Sequence, residues 1–325
     1  MRAIVCPKYG SPDVLRLEEV EKPVPKAGEI LVKIEAAATN PLDWHFMRGT
    51  PYFIRLMSGL FKPKKKVLGV DIAGTIEAVG ENVQNFKIVD EVFGDIFAFG
   101  MGGFSEYVLL PEKAVLTKPS NHSFEEVAGM PVAAITALQS IRDKGQLKSG
   151  QKILINGSSG GVGTFGVQIA RHLGAEVTAV CSSRNVELVS SLGADKVIDY
   201  TQEDFCSGTE TYDLIIDNVG NRSISELKKA LKPGGTCILI GFTSMGKMAK
   251  LMMKGKWVSL VSNKKFKDMT AKANREDLEY LALLMRDGKL KTVIDKSFPL
   301  EKTADAIRYL EKGHARGKVI ILPQQ

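Results

Sequence analysis

The sequence predicts an α/β protein in which a β-rich domain is joined to a doubly wound parallel sheet, and three observations predict it. Up to about His122, short runs of alternating polarity, "EILVKIEAAA", "VDIAGTIEAVG", "DEVFGDIFAFG" and "FSEYVLLP", are separated by Gly and Pro turns. Beyond Gly150, apolar strand-like runs alternate with amphipathic helical ones. Between the first of those runs and the first of those helices stands a glycine cluster, "INGSSGGVGTFG".

The elements follow in order. Ser123, followed by Glu125 and Glu126, opens a helix that continues past Leu138 to Ile141 and reads as a connection. Then come "KILIN", a helix over Val162 to Leu173, "EVTAV", a helix near Asn185 to Leu192, "KVID" and "YDLIIDNV". A helix over Ser223 to Leu231, "GTCILIGF" and a further strand at "KWVSLV" complete the alternation. Parallel strands need crossover helices and are covered on both faces, so apolar strands alternating with amphipathic helices imply a doubly wound sheet. Past Asn263 the chain is helical, "REDLEYLALLMRDGKL" and "EKTADAIRYLEKG", and closes on a strand, "GKVIILP".

Composition narrows the class. With 325 residues, 44% of them hydrophobic, the chain is of ordinary globular make-up. It has no run of about 18 uncharged apolar residues, and Pro7 interrupts any signal-peptide core, so a cytoplasmic location is expected. Cys6, Cys181, Cys206 and Cys237 form no CxxC pair and read as reduced, structural thiols. The net charge of +7 is uneven: Lys62, Lys64, Lys65 and Lys66 cluster in "FKPKKK", and eight lysines between Met245 and Lys272 face the single acid Asp268. Such patches suit either anionic ligands and surfaces or a simply solvated face.

The glycine cluster carries the chemistry. Gly157, Gly160 and Gly163, with Ser158, Gly161 and Val162 between them, occupy a turn from strand to helix, the context a dinucleotide fingerprint requires. Glycine permits the tight turn and close backbone approach to a pyrophosphate, and the helix N-terminus adds N–H donors and partial positive charge. An NAD-selective site places an acid at the end of the second strand to hold the ribose hydroxyls. This chain reads "VCSSRN" there, and Ser182, Ser183 and Arg184 suit the 2′-phosphate of NADPH, unless Arg184 only caps the following helix.

With these motifs, and with "NPLDWHFMRG", "LGVDIAGTIEAVGENV", "GGFSEYVLLP", "MPVAAITALQS", "SLGADKVIDY" and "GKVIIL" in order, the chain resembles the medium-chain dehydrogenase/reductases. Within that superfamily it resembles the zinc-free quinone oxidoreductase (zeta-crystallin-like) branch. The resemblance implies a GroES-like catalytic domain formed by residues 1–122 and 264–325, and an inserted Rossmann NADP(H)-binding domain, residues 123–263. The active cleft would lie where they meet. Asn40 and Asp71 stand where metal-dependent relatives hold zinc, and neither is matched by a soft ligand, so no zinc is expected. His45, His122, His172 and His314 show no metal spacing, and His45 reads as a pocket or surface residue.

Hydride delivery to an acceptor already electrophilic, a quinone or an α,β-unsaturated carbonyl (enal or enone), is the chemistry implied, with NADPH as donor. The candidate catalytic residues are Asn40, Asp71 and Tyr52, the last either a proton donor or a packing residue. By the same resemblance Thr136 approaches the nicotinamide, and Tyr200 joins Ser182 and Arg184 around the 2′-phosphate. Asn218, Gly220 and Gly241 close the nicotinamide side. Lys318 either reaches the pyrophosphate or sits in a solvated turn.

Other expectations concern partners. A homodimer is implied, with "GTCILIGF" or its neighbour as the sheet edge. The apolar, basic stretch "YFIRLMSGLFKPKKK", beside the expected cleft, and the helically spaced Met245, Met248 and Met252 read as a roomy substrate pocket, as ordinary packing, as a subunit contact or as a weak membrane contact. A non-catalytic NADPH-binding protein, acting as sensor, structural or nucleic-acid-binding component, is the alternative. No motif for specific nucleic-acid recognition supports that last role.

Overall fold

The computed structural model describes residues 1–242 and 245–325; the side chains of Met245 and Met248 also lie outside the described residues. The chain forms two compact units, residues 1–132 with 273–325, and residues 133–272. Both boundaries fall later in the chain than the expected 122/123 and 263/264. Ser123 does start a helix, with its hydroxyl accepting from Glu126 N, but that helix is short and belongs to the first unit. Thr292 Oγ1 donates to Glu126 O at 2.6 Å, tying it to the returning C-terminal segment.

In the first unit the early strands are β1 (Arg2–Val5), β2 (Arg16–Glu19), β3 (Glu29–Ala38), β4 (Asp71–Val79), β5 (Glu91–Asp95), β6 (Tyr107–Pro111) and β7 (Leu116–Thr117). The second unit carries β8 (Lys152–Asn156), β9 (Glu176–Cys181), β10 (Lys196–Asp199), β11 (Tyr212–Asp217), β12 (Leu231–Leu239) and β13 (Lys265–Asp268). The chain then returns to the first unit with β14 (Ile294–Pro299) and β15 (Lys318–Leu322).

The helices that matter for the site are α1 (Pro41–Arg48), α2 (Ile54–Ser58), α3 (Phe124–Ala128) and α4 (Pro131–Leu138). In the second unit α5 (Gly161–His172), α6 (Val186–Ser191), α7 (Ile224–Ala230) and α8 (Met245–Val261) connect its strands, and α9 (Arg275–Arg286) and α10 (Thr303–Glu311) follow. Among the described residues no helix is long and apolar enough to cross a membrane.

Among the described residues, the first unit is built on a sheet ordered β14-β15-β3-β4-β5-β7, with β6 on β3. Only the β14–β15 pair is parallel in it. Its core gathers Ile30, Val32, Ile34, Ile72, Val92 and Phe104 with Val319 and Ile321, so the two ends of the chain share one hydrophobic interior. The second unit is a parallel sheet ordered β10-β9-β8-β11-β12-β13, which reverses direction of growth beside β8. In open α/β sheets such a switch point places the ligand crevice at the carboxyl ends of the strands.

One expectation is corrected here, and the edge expected at "GTCILIGF" or its neighbour falls on the neighbour. "KWVSLV" is helical, the end of α8: Leu251, Gly255 and Val258 face inward at helical spacing while Trp257, Leu260 and Val261 stay exposed. The last strand is instead "KFKD", β13, and it forms the sheet edge, so β12 in "GTCILIGF" is an interior strand flanked on both sides.

The third loop glycine shows why the turn tolerates no side chain. A Cβ on Gly163 would stand 2.2 Å from Gly157 O and 2.6 Å from Ser158 Cα, both backbone atoms. Gly163→Ala is expected to force the loop off α5, costing about 1–3 kcal/mol of stability and weakening nucleotide binding. Thermal unfolding and a nucleotide titration read the two effects.

Candidate functional site

Two groups of candidate residues take shape, one in each unit. In the first unit, pairing register assembles a buried polar cluster. Asp71 begins β4 and lies opposite both Ala38, at the end of β3, and Asp95, at the end of β5. Strand β15 pairs antiparallel with β3 through Ile320–Ala38 and Ile321–Ala37, and Thr39 N donates to Val319 O. Stepping two residues along each strand brings Lys318 beside Asn40.

The contacts are correspondingly tight. Lys318 Nζ donates to Asn40 Oδ1 at 2.6 Å and lies 3.5 Å from Asp71 Oδ2. Asn40 Nδ2 donates to Asp71 Oδ2 at 2.9 Å and to Ala38 O at 3.3 Å. Asp71 Oδ1 accepts Val132 N at 3.1 Å, in the first turn of α4. Asp43 Oδ2 accepts Asn40 N and its Oδ1 accepts Gly69 N, so it ties the start of α1 to the loop before β4.

Burial dominates the electrostatics. It pushes Asp43 up to about 7, and burial with the neighbouring Asp71 charge pushes Asp95 up to about 7 as well. Asp71 is raised by burial, against which Lys318, Asn40 and Val132 N pull it down. Burial lowers the Lys318 ammonium, opposed by the surrounding carboxylates. One cation thus lies among three acids, Asp43, Asp71 and Asp95, whose fields oppose the effect of burial on it.

This geometry revises three assignments. Lys318 is neither in a solvated turn nor placed by a phosphate contact: it is 4% exposed, on an interior strand, and its ammonium is spent on Asn40 and Asp71. Asn40 and Asp71, 2% and 0% exposed, have their polar atoms engaged within the cluster. Tyr52 is 74% exposed, and its ring lies beside the Arg55 guanidinium, 5.0 Å from ring centre to carbon. His45 is half-buried, its Nδ1 against Thr50 O at 2.7 Å and its ring beside Trp44. Burial lowers its pKa.

In the second unit, β8 ends at Asn156 and the glycine turn leads into α5. Gly157 holds φ +77°, a left-handed conformation that glycine adopts freely. Gly157 N, Ser158 N and Ser158 Oγ all donate to Val180 O on β9, so Ser158 anchors the loop rather than presenting its hydroxyl. The amides of the first turn of α5, from Gly161 through Gly163, have no acceptor within the helix, and that turn contains no acid.

Around this loop the carboxyl ends of neighbouring strands converge. Ser182 and Arg184 follow β9, and Tyr200, following β10, donates its N–H to Cys181 O, which keeps the two ends adjacent. Arg184 and Tyr200 are exposed. Ser183 turns away, its hydroxyl donating to Asp199 Oδ2 at 2.6 Å. Asn218 Nδ2 donates to Asn156 O, leaving Asn218 Oδ1 buried without a partner. Gly220 and Gly241 both bond to Asp217, and a Cβ on Gly241 would stand 1.9 Å from Asn218 O. Thr136 is 9% exposed on α4.

Sequence reasoning missed several of these residues. Asn185 Nδ2 donates to Ser159 Oγ and Ser182 Oγ, bracing the phosphate loop against the turn after β9. Asp217, buried and raised by that burial, accepts from Asn156 Nδ2, Val219 N and Gly220 N. Polar residues ending otherwise apolar strands, Asn156 and Asp217, were the available signal. Asp95 gave none, since only register brings it to Asp71, whereas Asp43 stands three residues after the N-cap Asn40, a capping-box spacing.

A GroES-like unit joined to a dinucleotide-binding parallel sheet defines the medium-chain dehydrogenase architecture. Comparison with known proteins agrees. Residues 26–120 match the alcohol dehydrogenase GroES-like domain and residues 192–321 match zinc-binding dehydrogenase. The chain is 35% identical to the chloroplast envelope quinone oxidoreductase homolog of Arabidopsis thaliana, over 99% of this chain and 98% of that one. It is 32% identical to the NADPH-dependent alkenal/one oxidoreductase of the same plant, covering 99% and 80%. The solved quinone oxidoreductase of Coxiella burnetii superposes with a TM-score of 0.85 at 29% identity, 99% of each chain being covered. The chain belongs to the medium-chain dehydrogenase/reductase family, in its quinone oxidoreductase branch, and is an oxidoreductase.

The raised carboxyls make a pH prediction. An aspartate with an ordinary pKa of about 3.9 unfolded and about 7 folded disfavours the native state increasingly as pH rises between those values. Asp95→Asn keeps the acceptor for Phe97 N and removes the charge. Its thermal midpoint should equal that of the parent near pH 4 and exceed it increasingly up to pH 8; a gap independent of pH would contradict the assignment.

Proposed function

We propose that this protein is an NADPH-dependent, zinc-independent oxidoreductase that delivers hydride to a quinone or to the β-carbon of an α,β-unsaturated carbonyl. The observation that carries the reading is the end of β9: Ser182 and Arg184, with Tyr200 beside them, stand where an NAD-selective site holds an acid. Guanidinium and hydroxyl donors favour a 2′-phosphate that a carboxylate would repel. The amides at the start of α5 suit the pyrophosphate, and the orphaned Asn218 Oδ1 is an acceptor awaiting a donor. NADPH supplies the hydride when bound. The named relatives act, by their names, on quinones and on alkenals or alkenones, which supports the two acceptor classes.

Zinc independence is supported by the chemistry of the buried cluster. The Lys318 ammonium already occupies the carboxamide oxygen of Asn40 and faces Asp71, so those atoms serve an internal cation. Among the described residues no group of three His, Cys, Asp or Glu side chains is gathered as a metal would require. An acceptor must then be electrophilic without a Lewis acid, which a quinone and an enone are and a saturated ketone is not. The cluster's part is to hold α1 and α4 in place. Tyr52 alone of the three catalytic candidates keeps its hydroxyl at the surface, where it or water returns the proton.

The proposal extends to a homodimer through the β13 edge, which has a strand on one side only. It also extends to a cytoplasmic location, supported by four free, buried thiols.

The test is cofactor oxidation followed by absorbance, with NADPH and NADH in parallel, against a quinone, an α,β-unsaturated ketone and a saturated ketone. Turnover is expected with NADPH and the first or second acceptor. Arg184→Ala should raise KM for NADPH about 10- to 100-fold, the worth of a charge-assisted contact, and leave NADH unchanged. Rapid reduction of the saturated ketone, or tight NADPH binding without turnover, would overturn the reading.

A further inference from the structure

The segment from Tyr52 to Lys66 is built inside out. In α2, Ile54 and Ser58 face inward, while Phe53, Leu56 and Met57 point outward at 56%, 77% and 66% exposure. Leu60 and Phe61 follow at 57% and 88%. The segment is nevertheless anchored: Tyr9 Oη donates to Gly59 O, Ser58 Oγ lies within hydrogen-bond distance of both Ile54 O and, at 2.7 Å, Tyr9 Oη, either of which can take its single hydrogen, and Arg55 Nε donates to Gly49 O. Five large apolar side chains are therefore held in water by a fixed backbone. A contiguous exposed patch of this kind marks an interaction surface.

Charge identifies the occupant. From Trp44 to Val70 the sequence contains no Asp or Glu, whereas Lys62, Lys64, Lys65 and Lys66 follow directly on the apolar residues and are exposed. Among the described residues none of these four lysines has an ion-pair partner. A second copy of the same segment would set like charges against each other. A nucleic acid would match the charge but not aliphatic Leu56, Met57 and Leu60, which offer no stacking face. Apolar side chains at the acyl boundary with lysines beside them at the headgroup level match an anionic lipid surface.

We infer that residues 53–66 dock the protein on anionic phospholipid bilayers, with Phe53, Leu56, Met57, Leu60 and Phe61 entering the interface and Lys62, Lys64, Lys65 and Lys66 meeting the headgroups. The inference is independent of the reaction proposed above. A surface-bound enzyme would meet apolar acceptors where they are concentrated.

The experiment is flotation of the full chain with phosphatidylcholine vesicles, with and without phosphatidylglycerol, at low and high salt. Binding is expected only with the anionic lipid and is weakened by salt. Lys64→Glu with Lys65→Glu should lower partitioning at least about 25-fold, at roughly fivefold per lysine, and Phe61→Ser with Leu56→Ser should abolish it. Lys254→Glu with Lys256→Glu, exposed on α8, makes the same charge change elsewhere and should leave binding intact. Thermal midpoints check that each variant is folded. Failure to float, or equal loss in the α8 control, overturns the proposal. So does a change of the Phe61 variant from dimer to monomer in sedimentation, or a rise in its KM for long apolar acceptors, with flotation unaffected.

Discussion

The Lys318 ammonium, buried against Asn40 and Asp71, is the interaction on which the first unit depends. It joins residues 278 positions apart and sits at the point where the last strand is laid beside β3. Three backbone segments converge on it through two carboxylates: the start of α1 and the loop before β4 through Asp43, and the start of α4 through Asp71. Desolvating such a pair costs much of what its attraction returns, so its net contribution to stability is small. Removing one partner is a different matter: an uncompensated buried charge costs about 3–5 kcal/mol. The cluster thus specifies register and helix position more than it adds stability.

The same constraint explains why the polar atoms of Asn40 and Asp71 are engaged within the protein. In a site built around a metal, these positions would offer lone pairs to the ion. Here a lysine from the far end of the chain engages them instead.

The second unit works by backbone rather than by charge. Its loop is held to β9 through three donors to Val180 O, braced by Asn185, and closed on the far side by Asp217 and the two glycines it holds. Because the phosphate donors are main-chain N–H groups at a helix start, their geometry follows from packing. The proposed discrimination between cofactors rests on a few side chains after β9 and β10. Asp199 takes Ser183 out of that set, leaving Ser182, Arg184 and Tyr200.

Much of this was legible in the sequence, and the reason is local. Period-two runs, period-3.6 runs, glycine spacing and the "SSR" after β9 are properties of a few adjacent residues, and they determined the fold class, the phosphate loop and the cofactor preference. Even there, "KWVSLV" misled, because a short apolar run satisfies strand and helix alike until its neighbours show which face is buried. The carboxylate cluster, the role of Lys318 and the unit boundaries were decided only by tertiary structure. Asp71, Asp95 and Lys318 meet through strand register, and register depends on which strands pair across hundreds of residues. The exposure of Phe53, Leu56 and Phe61 has the same origin: composition marks them as core residues, and only the anchoring of α2 by its other face turns them toward solvent.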